Sequence, residues 1–206
     1  MSDINVATVR AILFDMDGTL VDSDGAVLRS WLSWASEYGV DGHQAYEMAH
    51  GSPSATTVRK LLPHLDEGAR AVASARQLEL QYDDLSDVHP TPGAPELLAL
   101  LTRRGLPWAV VTSADTRLAK ARLGAAGIEA PVLVTTDDIA AGKPDPEGYR
   151  RAAELLGVDP ADCLVVEDAE VGLQAGRAAG ARTAALRGLD GDVRLETLFD
   201  LARLLG

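Results

Sequence analysis

The heptapeptide Phe14-Asp15-Met16-Asp17-Gly18-Thr19-Leu20 sets two aspartates two residues apart, directly before Gly-Thr. The run leading into it, Val9-Arg10-Ala11-Ile12-Leu13-Phe14, is apolar apart from Arg10 and reads as a buried strand. Strand side chains alternate faces, so Asp15 and Asp17 would point the same way if the strand continued. Two carboxylates at the end of a buried strand are costly unless something pairs with them, and a hard cation is the usual partner. Asp-x-Asp-Gly is also an ordinary turn sequence, since Asp and Gly both suit turn conformations. A calcium loop does not fit, because the glycine follows the second aspartate with no third ligand before it. The rest of the chain has to decide between a turn and a site.

The chain has 206 residues, enough for one substantial domain or one domain with a small insert. Its 19 basic and 31 acidic residues give a net charge of −12. That argues against general binding to nucleic acid or anionic lipid, both of which need a basic surface. Any phosphate site must therefore be built locally, with donors and a cation working against a repulsive background. The one cysteine, Cys163, lies in the apolar run Cys163-Leu164-Val165-Val166 and reads as a small core residue. A lone cysteine forms no internal disulfide, and a cytoplasmic setting is expected. No apolar run reaches the roughly 18 residues of a membrane span, and the acidic start with Asp3 does not read as a secretory signal.

Five short apolar runs read as buried strands, at 11–14, 108–111, 132–134, 164–166 and 183–186. Helical patterns alternate with the last four, at 96–104, 116–126, 147–156 and 171–179, each followed by a glycine. Strands and helices alternating in this way predict right-handed βαβ units and a parallel sheet covered on both sides. The stretch from 22 to 90 has no strand-like run. Val27, Leu28, Trp31, Leu32, Ala35 and Tyr38 recur there at helical spacing, and 57–62 and 69–81 also read as helical. An insert of this size exceeds an ordinary βα connection and predicts a small all-helical lobe with Trp31 and Trp34 in its core. The expected architecture is α/β: a doubly wound, Rossmann-like parallel sheet of five or more strands from 1–21 and 91–206, with 22–90 inserted after the first strand.

Ligands of such sheets bind beyond the carboxyl ends of the strands. Asp15 and Asp17 follow the first run, Thr112 and Ser113 the second, Gly142-Lys143-Pro144 the third, and Glu167 and Asp168 the fourth. Each has a plain reading, such as a helix cap for Thr112-Ser113 or Glu167-Asp168 and a surface position for Lys143. Together at one sheet edge they form a chemical set. Acidic oxygens suit Mg²⁺, and hydroxyls with helix-start amides suit phosphate. Lysine supplies a point charge, and a carboxylate can attack phosphorus to form an aspartyl-phosphate.

With these residues in place, the chain resembles the haloacid dehalogenase-like hydrolase superfamily over nearly its whole length. Phe14–Leu20 is similar to the family's first motif, Val111-Thr112-Ser113 to the second, Gly142-Lys143-Pro144 to the third and Val166-Glu167-Asp168 to the fourth. The helical insert resembles the cap of the subgroup that holds sugar-phosphate phosphatases and β-phosphoglucomutase. The segments 142–147 and 167–172, with His50-Gly51 leading into Val58-Arg59-Lys60-Leu61, resemble the sugar and polyol phosphatases. The resemblance implies Asp15 as nucleophile and Mg²⁺ ligand. It implies Asp17 as general acid and then base, with its carbonyl also on Mg²⁺. Thr112 and Ser113 would bind the phosphoryl group and Lys143 would neutralise its charge. Asp168 would be a metal ligand, with Glu167 beside it.

The acid at Asp17 points to an alcohol leaving group, which needs a proton, and away from halide, which does not. Mutase-like members carry a histidine where this chain has Val27 and an arginine where it has Ser54, which weakens the mutase alternative. A non-catalytic phosphosugar-binding protein is the third reading, and the full set of Asp15, Asp17, Thr112, Lys143 and Asp168 argues against it. Glu47, His50, Ser52 and Arg59 are the candidates for facing the site from the insert. The expected partner is a small phosphorylated metabolite, acted on by a monomer, with a dimer left open.

Overall fold

The computed structural model describes residues 8–49 and 51–206. Its strands, in chain order, are β1 (Ala11–Phe14), β2 (Val21–Asp22), β3 (His89–Pro90), β4 (Trp108–Val111), β5 (Leu133–Val134), β6 (Cys163–Glu167), β7 (Arg182–Ala185) and β8 (Val193–Arg194). The helices are α1 (Asp24–Tyr38), α2 (Gly42–Ala49), α3 (Ser54–Leu61), α4 (Glu67–Leu80), α5 (Ala94–Arg104), α6 (Thr116–Ala125), α7 (Glu147–Leu156), α8 (Glu170–Ala179) and α9 (Leu198–Leu205).

The main sheet runs β5-β4-β1-β6-β7-β8, with every pairing parallel. The opening strand β1 sits inside it, between β4 and β6. Its residues are buried on both faces, and their alternation sorts them cleanly. Ile12 and Phe14 pack with Leu97 and Leu101 of α5, Leu118 and Leu123 of α6, and Leu198 and Leu201 of α9. Ala11 and Leu13 pack on the other face with Tyr149 and Ala152 of α7 and Ala175 of α8. Burial on two sides is why the strand sequences read as continuous apolar runs rather than alternating ones. Each fully buried large side chain contributes about 1.5–3 kcal/mol.

Helices α1 to α4 fill the insert and surround a third cluster, built on Trp31, Trp34, Val58 and Leu62. The Trp34 indole donates to the Ala73 carbonyl at 2.8 Å, which satisfies its one polar atom inside that core. Both tryptophans are thus core residues, as their spacing predicts. The chain enters the insert along β2 and leaves along β3, which pair antiparallel, Val21 with Pro90 and Asp22 with His89.

All five predicted strands are present, with ends shifted by a residue at the third, fourth and fifth. The ribbon of β2 and β3, the edge strand β8 and the helices α2 and α9 are additions. Strands of two residues are too short to show a period, and α2 offers only Ala45 and Ala49 as buried positions. No helix of the described residues is long and apolar enough to cross a membrane.

Candidate active site

The carboxyl ends of β1, β4 and β6, with the loop after β5, bring the sequence-predicted residues together. Parallel pairing puts Phe14 beside both Val110 and Val166, so Asp15 emerges between β4 and β6, and its amide donates to the Val166 carbonyl at 3.0 Å. The Lys143 ammonium donates to Asp15 Oδ1 at 2.5 Å, to Glu167 Oε1 at 2.6 Å and to the Val111 carbonyl at 3.0 Å. The Tyr149 hydroxyl donates to the same Glu167 oxygen at 2.7 Å. Asp168 receives the Arg187 guanidinium at 2.9 Å. Oxygens of Asp15, Glu167 and Asp168 lie within 4.8 Å of one another.

Two buried carboxylates, Asp15 and Glu167, thus share one ammonium, while Asp168 beside them pairs with the Arg187 guanidinium. Burial, then the charge of Glu167, pushes the Asp15 carboxyl well above its ordinary range. The same two causes, in the same order, push Asp168 up to about 7. Burial alone would pull the Lys143 ammonium down, but Asp15 and Glu167 outweigh it and hold the lysine charged. The directions agree: the cluster is short of positive charge. A divalent cation with oxygen ligands fits that donor set.

Asp17 lies apart from the cluster. Ser23 donates its hydroxyl to Asp17 Oδ1 at 2.6 Å, and Arg122 donates to Oδ2 at 2.9 Å. Between the two aspartates' loop and Asp168, Gly18 adopts φ +80°, and a Cβ there would run into the Asp168 carboxylate and the Arg187 guanidinium. Only glycine meets both conditions. Thr112 is buried and accepts from the Ala114 amide at 3.1 Å. The Ser113 hydroxyl donates to the Gly51 carbonyl of the insert at 3.0 Å. The cap of α6 is Asp115, whose side chain accepts from the Leu118 amide, so Thr112 and Ser113 are left outside the helix.

A cavity of about 290 Å³ opens between the sheet edge and the insert. Asp15, Asp17, Thr112, Ser113 and Asp168 line it from the core, and Val27, Tyr46, Ser52, Ser54, Ser74 and Gln81 are among those lining it from the insert. Of the four insert candidates, Ser52 lies on the cavity wall. Glu47 is exposed on α2, one residue past the lining Tyr46 and so about 100° further round the helix. Arg59 is exposed on α3, beside the buried Val58. Neither lines the cavity, and His50 lies outside the described residues. The glycines of α8 serve close packing: a Cβ on Gly172 would strike the Glu167 carboxylate, and one on Gly176 would press on Val165.

Three polar residues at the site escape motif reading: Tyr149, Arg187 and Arg122. The first offers no signal beyond its place on the apolar side of α7. Arg187 has φ +52°, which no sequence pattern announces. Arg122 does leave a trace, since it falls in the register of the buried Leu118, Ala119 and Leu123.

The profile of the haloacid dehalogenase-like hydrolase family matches residues 9–180. The chain belongs to that family. Hexitol phosphatase A of Escherichia coli is 39% identical over 86% of this chain and 82% of its own length. The 2-deoxyglucose-6-phosphate phosphatase 1 of Saccharomyces cerevisiae is 35% identical over 91% of this chain and 82% of its own. Among solved structures, a hydrolase from Pseudomonas syringae superposes with a TM-score of 0.86 at 25% identity, covering 95% of this chain and 97% of that one. This member of the haloacid dehalogenase-like family is an enzyme, a phosphatase, and its parallel six-stranded sheet with flanking helices is the fold of its neighbours.

Proposed function

We propose that this phosphatase hydrolyses monophosphate esters of small sugars or polyols through an aspartyl-phosphate on Asp15, with Mg²⁺ as cofactor. The observation that carries the reading is the Lys143 ammonium clamped between Asp15 and Glu167, with Asp15 and Asp17 both lining one cavity. The named relatives act on hexitol and 2-deoxyglucose phosphates, which supports the substrate class.

In the first step an Asp15 oxygen bonds to phosphorus as the ester oxygen leaves, and Asp17 gives that oxygen its proton. In the second, Asp17 takes a proton from water, the hydroxyl bonds to phosphorus, and the Asp15–phosphorus bond breaks to free inorganic phosphate. Thr112 and the Ser113 amide hold the phosphoryl oxygens, and Lys143 offsets their charge. Asp15, the Asp17 carbonyl and Asp168 would hold Mg²⁺, with Glu167 beside them. When bound, Mg²⁺ would draw charge from the phosphoryl oxygens and relieve the repulsion among the carboxylates. Residues 22–90 act as the cap that selects the substrate, on a chain that completes its own site as a monomer in the cytoplasm.

Val27 and Ser54 both line the cavity, at the places where mutase-like members carry histidine and arginine. Hydrolysis is therefore favoured over phosphoryl transfer between hydroxyls. The test is phosphate release across a panel of phosphorylated sugars and polyols, with and without Mg²⁺. Metal-dependent release from hexose or hexitol monophosphates is expected. Metal-independent release, or transfer that needs a bisphosphate activator, would refute the proposal.

A further inference from the structure

An arginine on the apolar face of a helix needs a reason. The Arg122 side chain is only 3% exposed, and a buried guanidinium costs several kcal/mol unless its partners are well placed. It has two. Nη1 donates to Asp17 Oδ2 at 2.9 Å, and Nη2 donates to Gln81 Oε1 at 2.8 Å. Its Nε has no hydrogen-bond partner. The fork therefore spans from the loop after β1 to the end of α4.

Gln81 is itself held. Its amide donates to Gln77 Oε1 at 2.6 Å and to the Ser54 hydroxyl at 3.0 Å, and Gln77 donates onward to Ser30 at 3.3 Å. That network fixes Nη2, and with it the plane of the guanidinium. Asp17, by contrast, has a side chain that is 29% exposed and could be satisfied by water. The contact is one that Asp17 does not need for solvation, so its effect is to fix where the carboxyl sits.

We propose that Arg122 is a positioning residue for Asp17, holding the carboxyl by Oδ2 so that Oδ1 carries the proton to and from substrate oxygen. Arg122 donates to Oδ2 whether or not the carboxyl is protonated. The Ser23 hydroxyl, which meets Oδ1 at 2.6 Å, can rotate away when that oxygen bears hydrogen. The inference rests on the acid–base role of Asp17 proposed above.

The test compares leaving groups. An alkyl phosphate such as sorbitol 6-phosphate or 2-deoxyglucose 6-phosphate needs a proton for its leaving oxygen, whereas p-nitrophenyl phosphate does not. For both, kcat/KM reports transfer of the phosphoryl group to Asp15 and excludes the later water step. Arg122→Met is expected to lower kcat/KM for the alkyl ester about 10- to 100-fold, the loss that follows misplacement of a reacting group. For the aryl ester the change should stay within about 3-fold. Arg122→Lys keeps the charge but not the fork, so it should show the same selectivity at a smaller loss. It also serves if the methionine variant does not fold, with circular dichroism confirming the fold. Equal losses on both esters, or no loss on either, in a folded variant would overturn the role of Arg122. If Asp17→Asn itself fails to separate the two esters, the acid–base reading is what falls.

Discussion

Lys143 donates to Glu167 at 2.6 Å in a setting that water hardly reaches, with the two side chains 5% and 0% exposed. The lysine thereby holds together two carboxylates, Glu167 and Asp15, that would otherwise repel across a dry interior. Removing it leaves those charges buried and unpaired. Lys143→Met is therefore expected to lose about 3–5 kcal/mol of stability, read from urea unfolding without metal. It should also lose turnover. Mg²⁺ should restore more stability to this variant than it adds to the parent, since it supplies the missing charge. A variant as stable as the parent in EDTA would contradict the account.

The two aspartates of the opening motif should separate by substitution. Asp15→Asn removes the proposed nucleophile and is expected to lower turnover at least about 10⁴-fold on any ester while the protein stays folded. Asp17→Asn should cost about 10²–10⁴ on alkyl phosphates. Steady-state assays on one alkyl ester, with melting curves as the folding control, decide the matter. Alkyl turnover unaffected by Asp17→Asn would rule out proton transfer by that residue.

The carboxylate cluster gives stability a defined pH slope. Asp168 stands at about 7 in the folded chain against 3.8 as its ordinary value. Between those values the native state keeps a proton that the unfolded state has lost, so stability falls as pH rises through that window. Asp15 is raised too and acts in the same direction. The lowered surface carboxylates, such as Asp87 and Asp200, lose their contribution only below about pH 4, outside it. In EDTA the protein should melt lower at pH 8 than at pH 5.5. Mg²⁺ should raise the melting temperature more at pH 8, where the Asp168 proton no longer has to be displaced. Thermal scans at the two pH values, each with and without metal, provide the check, and a flat profile in EDTA would count against the cluster as described.

Gly172→Ala tests the packing behind the site. The added Cβ meets the Glu167 carboxylate, which is already tied to Lys143 and Tyr149. Overpacking of this kind costs about 1–3 kcal/mol. Because Glu167 helps hold Lys143, kcat should fall as well. Urea midpoints and phosphate release on the same preparation measure both. Gly124, with nothing near its absent Cβ, is the control, and Gly124→Ala should leave activity unchanged.

Much of this was readable before any coordinates, and the reason is local. Buried strands such as 108–111 are runs of apolar residues, and ligand-facing groups in a parallel sheet follow such runs directly, so the candidates Asp15, Thr112 and Glu167 are found by adjacency. What adjacency cannot show is contact across the chain. Arg122 meets Asp17 over a separation of 105 residues, and Tyr149 meets Glu167 over 18, from the buried face of α7. Nor does a helical pattern say which flank looks inward. Ser52 lines the cavity while Glu47 and Arg59 turn outward, a distinction set by how α2 and α3 dock and not by their composition.

The ribbon that joins Val21 to Pro90 and Asp22 to His89 brings the two ends of the insert side by side. A lobe tied off at so narrow a neck can be lengthened, trimmed or exchanged while the neighbouring strands keep their register. Inheritance can therefore treat the two parts at different tempos. The residues proposed to break the phosphate ester would stay fixed while the lobe above them drifts, and a lineage could acquire a new diet without having to reinvent its chemistry.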